Sequence, residues 1–161
     1  KKGEGKFARI SWNEAIETIT SKWKKIIREY GSQAIVGSVV ARNHRYSWEA
    51  FMDNARHRSN LNAIEWARYL QDAGVGEIMV TSIDYEGKMC GFDTNLLNEI
   101  NDVTNIPIIA SGGAGNSKHV HNLCQDNICN AVAIASMFHY NFVSILELKE
   151  YLLNNGISVR I

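Results

Sequence analysis

The chain has 161 residues, of which 45% are hydrophobic and 21% charged, with a formal net charge of +0 and a pI of about 7.1. This length and mix suit one soluble domain with a real core, and the balanced charge gives no reason to expect nucleic acid or an anionic membrane surface as a partner. No apolar run approaches the ~20 residues of a membrane span, and no apolar stretch follows Lys1–Gly5, so neither a span nor a secretory signal is expected.

The first expected elements are a short strand over Lys6–Ile10 and a helix opened by Ser11. Ser11-Trp-Asn-Glu14 has the form of a capping box. Trp12, Ala15, Ile16, Ile19, Trp23, Ile26, Ile27 and Tyr30 recur at spacings of three and four, which predicts one apolar face. Lys22, Lys24, Lys25 and Arg28 suit the helix C-terminal half, and Gly31 suits its end. Ala34–Val40 is continuously apolar and reads as a buried strand. Residues 41–59 read as a long, polar, irregular connection, with Tyr46–Phe51 as a strand-like arm. His44, Arg45, Arg56, His57 and Arg58 lie within it, either facing an anion or as a solvated loop.

Leu61–Ala73 is expected to be helical, with Asn60 as N-cap, Gly74 past its end, and Ile64, Ala67, Tyr69 and Leu70 on the buried side. Glu77–Ile83 follows as a strand, with Asp84 emerging at its C-terminal end and Tyr85–Phe92 as a glycine-bearing loop. Asp93 or Thr94 caps a helix to about Val103. Ile106–Ala110 is the next strand, and Ser111-Gly-Gly-Ala-Gly115 follows it just before a helix that begins near Asn116 or Ser117. Backbone N–H groups without a Cβ in the way, close to a helix start, make a suitable phosphate cradle. Ala131–Ala135 is a last strand ended by Ser136, and a final helix runs from about Ser144 to Leu153.

This is the strand–loop–helix beat of a parallel α/β protein, in which chemistry sits at the C-terminal ends of the strands. Four such parallel strands cannot close a barrel, so open edges and a homo-oligomer are expected. Cys90, Cys124 and Cys129 make an odd count, which implies reduced thiols and a cytoplasmic setting. No Cys–His set has zinc-like spacing, so no metal is expected. His119 and His121 read as surface residues, and His139 sits just past the last strand.

Several segments resemble the cyclase subunit of imidazole glycerol phosphate synthase. They are Tyr30-Gly-Ser-Gln-Ala-Ile-Val36, Gly76-Glu-Ile-Met-Val-Thr-Ser-Ile-Asp-Tyr-Glu-Gly87, Pro107-Ile-Ile-Ala-Ser-Gly-Gly-Ala-Gly115, Ala135-Ser-Met-Phe-His139 and Leu148-Lys-Glu-Tyr-Leu152. The resemblance runs from about Gly31 to Ile161 and corresponds to strands five to eight of that family's (β/α)8 barrel, which is half a barrel. It implies closure of an imidazole ring in histidine biosynthesis, with ammonia supplied by a glutaminase subunit and no cofactor. By the same resemblance a phosphate, or a phosphorylated small molecule, lies against Gly87, Ser111, Gly112, Gly113, Ala135 and Ser136, while Thr81 and Asp84 line the substrate cleft.

Two departures bear on the reaction. The family's catalytic Asp at the end of its fifth strand aligns with Val40, and a valine cannot transfer a proton. Its other catalytic Asp belongs to the N-terminal half of the barrel. No confident catalytic residue is therefore expected here, and Asp84 is the one candidate. Lys88, and Asn54-Ala-Arg-His57, also differ from the family's usual residues. Gly3–Gly31 resembles a strand–helix segment of molybdopterin-dependent oxidoreductases, which implies a chimera joined near Tyr30–Gly31. No molybdenum-ligating or Fe–S context accompanies it, so its expected role is structural.

Overall fold

The computed structural model describes Gly5 and residues 8–160. The expected strand at Lys6–Ile10 falls partly outside the described residues, and Ala8–Ile10 are not in a strand. The first helix, α1, spans Trp12–Tyr30, with the Ser11 hydroxyl accepting from the Glu14 N–H as a cap. None of its residues is buried. The apolar face read in the sequence is present but uncovered: Trp12 is 84% exposed, Ile16 57% and Trp23 54%.

After a 3-10 turn at Ser32–Ala34 come β1 (Val36–His44), β2 (Ser47–Met52) and β3 (His57–Asn62). The polar 41–59 stretch is therefore not irregular. It extends β1 and returns as an antiparallel hairpin, in which Ala41 pairs with Ala50 and His44 with Ser47. The remaining elements are α2 (Ala63–Asp72), β4 (Glu77–Ser82), α3 (Thr94–Asn101), β5 (Ile108–Ser111), α4 (Ser117–Gln125), β6 (Ala131–Ala133), α5 (Ser136–His139) and α6 (Ile145–Asn154). Asn62 caps α2 in place of Asn60, which lies in β3. Tyr69, expected on the buried side, is 62% exposed and stacks on Trp66 instead.

All six strands form one sheet, in the order β3-β2-β1-β4-β5-β6. β1, β4, β5 and β6 pair parallel, and the hairpin pairs antiparallel beyond β1. Alternation along the strands gives the sheet two unequal faces. Val39, Ala41, Ile78, Val80, Ile108 and Ala110 are buried, in one core with Ala67 of α2, Leu96 and Ile100 of α3, and Val120 and Leu123 of α4. The other face carries Val36, Ser38, Val40, Met79, Thr81, Ile109 and Ser111, none of which is buried. Among the described residues, no helix is long and apolar enough to cross a membrane.

Two thiols lie at the end of α4 and in the loop before β6. Cys124 and Cys129 are free and half-buried, whereas Cys90 is free and exposed. Burial, with a smaller contribution from Cys124, pushes the Cys129 thiol up to about 11. At pH 8 roughly a thousandth of Cys129 is thiolate, so a native alkylation time course is expected to label Cys90 first and Cys129 only after unfolding. Equal native rates for the two thiols, followed by peptide mass spectrometry, would contradict this placement.

Candidate functional site

The parallel strands end in one row. Val40 is in register with Thr81, Thr81 with Ser111, and Ser111 with Ala133. Because register partners point to the same face, these four residues line the open face near the strand C-terminal ends. Two loops rise above the row, Ile83–Phe92 after β4 and Gly112–Asn116 after β5.

The loops are pressed together by glycine. The Gly91 N–H donates to the Gly113 carbonyl at 2.9 Å. Gly113 has φ +105°, and a Cβ there would overlap the Gly91 carbonyl oxygen. A Cβ on Gly115 would overlap the carbonyl of Met89. Below them the Ser82 hydroxyl donates to the Asp93 carboxylate at 2.8 Å, and the same carboxylate accepts from the Leu96 N–H at 3.2 Å as the cap of α3. Ser82 and Asp93 are both buried. The strand end, the loop and the next helix are thus held by one carboxyl group.

Under the β5 loop lies a cavity of about 140 Å³, lined by Glu86, Ser111–Ala114 and Ala133–Ser136. That is several times the ~30 Å³ a water occupies in the liquid. Five residues that the resemblance assigns to a phosphate meet here: Ser111, Gly112, Gly113, Ala135 and Ser136. Among the described residues, the N–H groups of Gly112, Gly113 and Ala135 have no backbone or side-chain acceptor, so they are donors available to an anion. The start of α4 does not contribute as the sequence suggested. The Asn116 side chain caps α4 by accepting from the His119 N–H, and the Gly115 N–H donates to His119 Nδ1 at 3.2 Å. The cavity opens toward the first residue of α5 instead.

The other expected site residues are placed differently. Gly87 is exposed and does not line the cavity; its neighbour Glu86 does, bringing a carboxylate that the sequence reading did not place there. Thr81 lies one strand from Ser111 in the same row. Asp84 lies outside the cavity. Its carboxylate accepts from the Asn43 N–H at 2.7 Å and stands 3.8 Å from Arg42 Nε, tying the loop after β4 to the end of β1.

A larger hollow of about 280 Å³ lies at the hairpin, lined by residues including His44, Trp48, Glu49, Arg58 and Asn62. Arg58 makes a forked hydrogen bond to Glu49, which holds that carboxyl below its usual range. Arg56 and His57 both stand within 4 Å of Asp53. The basic cluster of the hairpin is therefore largely committed to its own carboxylates.

Four parallel strands whose C-terminal loops leave backbone donors around a small cavity define an α/β protein with its candidate site at the strand C-terminal ends. Residues 4–144 match the histidine biosynthesis protein family, and the chain belongs to that family. It is 37% identical over 153 residues to the imidazole glycerol phosphate synthase subunit HisF of Dehalococcoides mccartyi, covering 95% of this chain and 60% of that one. It is 40% identical over 155 residues to the subunit of the same name from Clostridium botulinum, covering 95% and 61%. The counterpart from Saccharolobus solfataricus is 37% identical over 152 residues, covering 94% and 61%. The chain thus spans about three fifths of the length of the relatives it matches. The family match begins at residue 4 and so includes α1.

Proposed function

We propose that this chain is the phosphate-holding half of a (β/α)8 barrel related to the imidazole glycerol phosphate synthase cyclase subunit, and that it binds a phosphate or phosphorylated small molecule without catalysing the family's full reaction. The observation that carries the binding part is the cavity bounded by Ser111, Gly112, Gly113, Ala135 and Ser136, with N–H donors left over. The observation that carries the catalytic part is Val40. It occupies the strand-end row beside Thr81 and Ser111, where a proton-transfer group is needed. Asp84, the candidate substitute, is engaged with Asn43 and Arg42. Four parallel strands support the half-barrel reading, since a closed barrel of this kind takes eight. We read α1 as structural, with no redox role. Free cysteines fit a reducing, cytoplasmic setting.

Titration with inorganic phosphate and with a sugar phosphate, followed by amide chemical shifts, tests the binding. Shifts at Gly112, Gly113 and Ala135 with millimolar affinity are expected; no shift at these amides at 20 mM ligand would sink the reading. Glu86 refines it. A Cβ at Gly112 would stand 2.8 Å from Glu86 Oε2, so this carboxylate repels an anion held on the loop. Glu86→Gln is expected to tighten phosphate binding about fivefold, the size of one unit charge a few ångströms away in a wet site. Weaker binding by the variant would mean that the anion is held elsewhere.

A second reading is favoured by the uncovered sheet face and by the open edge of β1 over Val36–Val40, where among the described residues no strand pairs on the hairpin side. There the chain is a cyclase module that works once the rest of a barrel is supplied, by a second copy or by another chain, with a glutaminase subunit delivering ammonia to the completed barrel. We expect no rescue of a histidine auxotroph lacking the cyclase by this chain alone. Growth matching that given by an intact cyclase would establish the second reading instead.

A further inference from the structure

We propose that α1 is a dimerisation helix, pairing antiparallel with α1 of a second copy of this chain. The proposal is independent of the phosphate site and goes beyond open strand edges as the reason for self-association. It begins from the spacing of the apolar residues. Trp12, Ile16, Ile19, Trp23, Ile26 and Tyr30 follow one another at intervals of four, three, four, three and four. That is the alternation of a coiled-coil seam, narrower than the stripe a helix presents to a globular core. The intervening residues are polar or charged, apart from Ala15 and Ile27. Ile27 has its own explanation, since its Cδ1 lies 3.8 Å from where a Cβ on Gly74 would be, so it faces the body of the chain. The seam faces away. Trp12, Ile16, Ile19, Trp23 and Tyr30 are all exposed, and Ile26 is only half-buried.

Two tryptophans and a tyrosine on one exposed helical stripe form an apolar surface of the kind that marks an interaction site. A second α1 fits it for two reasons. One is geometric. With the helices antiparallel and crossing near Ser21, Trp12 meets Tyr30 of the other copy, Ile16 meets Ile26, and Ile19 meets Trp23. The arrangement is isologous and therefore closes as a dimer without leaving a repeat free to polymerise. The other reason is charge. Residues 12–21 carry Glu14 and Glu17 with no basic residue, whereas residues 22–30 carry Lys22, Lys24, Lys25 and Arg28 against Glu29 alone. Antiparallel pairing lays the acidic half of each helix along the basic half of the other. Parallel pairing would set both basic halves side by side. The aromatic and isoleucine seam buries on the order of 1,200 Å² over both copies, at the lower bound of specific protein interfaces.

The test uses the full chain in sedimentation velocity and multi-angle light scattering. At 50 μM we expect a species of twice the 18.1 kDa chain mass that dissociates on dilution. Ile19→Glu and, separately, Trp23→Lys place a charge at the centre of the seam and are expected to weaken the dimer at least about thirtyfold. Both positions are exposed in the single chain, so circular dichroism and the phosphate-induced shifts should remain as in the parent; their retention separates loss of the dimer from loss of the fold or of the phosphate site. Carbodiimide treatment of mixed light and isotopically heavy copies should join peptides bearing Glu14 or Glu17 of one copy to those bearing Lys24 or Lys25 of the other. A monomer at 50 μM, a dimer that survives both substitutions, or light–heavy links confined to Glu29 with Lys24 or Lys25, would each overturn the proposal.

Discussion

Replacing Gly113 with alanine is expected to cost about 3–4 kcal/mol of stability and to weaken phosphate binding by more than tenfold. The reason is steric before it is functional. At φ +105° an L-residue is strained whatever surrounds it, and here the added Cβ would also overlap the Gly91 carbonyl oxygen. Backbone cannot yield as a flexible side chain can. Either Gly113 turns and withdraws its N–H from the cavity, or the β4 and β5 loops part and the hydrogen bond from Gly91 is lost. Both movements deform the wall formed by Ser111–Ala114. Urea unfolding together with phosphate titration measures the two losses. A variant that kept parental stability and affinity would show that the tight approach of these loops is not what shapes the site.

Asp93→Ala is expected to lose about 3 kcal/mol, a fall of about 8 °C in Tm for a chain of this size. Two contributions combine. The cap of α3 goes, worth about 1 kcal/mol. The Ser82 hydroxyl, buried at 2% exposure, loses its acceptor, which costs about 1–3 kcal/mol for an unsatisfied buried group. Asp93→Asn is the informative control, because its amide oxygen can cap the helix while its NH2, in the place of the second carboxylate oxygen, donates to the Ser82 hydroxyl oxygen; it should lose no more than about 1 kcal/mol. Equal losses for the two variants, by thermal denaturation, would show that the negative charge matters rather than the acceptor geometry.

How far the fold was legible in the sequence depended on which forces shaped each segment. The buried strands were readable because Ile78, Val80, Ile108 and Ala110 lie in short apolar runs bounded by small or polar residues. The cap Ser11, and Asp93 as one of two candidates, were readable because a short polar side chain before a periodic run has few other uses, whereas Asn116 was marked only as a possible start of its helix. The hairpin was legible only in part: β2 was expected as an arm over Tyr46–Phe51, whereas β3 and the extension of β1 were not. Those two segments are polar and largely exposed, and they are held by the sheet ladder and by the Glu49–Arg58 fork rather than by an apolar face. The hairpin's turns use left-handed Arg45, Asp53, Asn54 and Ala55 where glycine is the usual signal. At the candidate site, Ser111, Gly112 and Gly113 were visible as a glycine-rich loop. Glu86 in the cavity and Asp84 on the hairpin were not, because which of two nearby carboxylates turns inward depends on packing between loops. The exposure of α1 was hidden for a similar reason: amphipathic spacing shows that a face seeks a partner without showing where the partner is.

The indole of Trp66 has a consequence for colloidal behaviour. Its Nε1–H donates to the Ser38 carbonyl at 3.2 Å, in the middle of the β1 edge that the hairpin leaves unpaired. A bare strand edge is a template on which further chains can stack, and fibrillar stacking draws on runs of about six or seven residues. Here the free run is five residues long, and a side chain already occupies one of its carbonyls. An incoming strand must first evict the indole and then accept a ladder too short to propagate. One tryptophan thus guards this stretch of the sheet margin against strand addition, while the sheet's outer edges are the polar β3 and the three-residue β6.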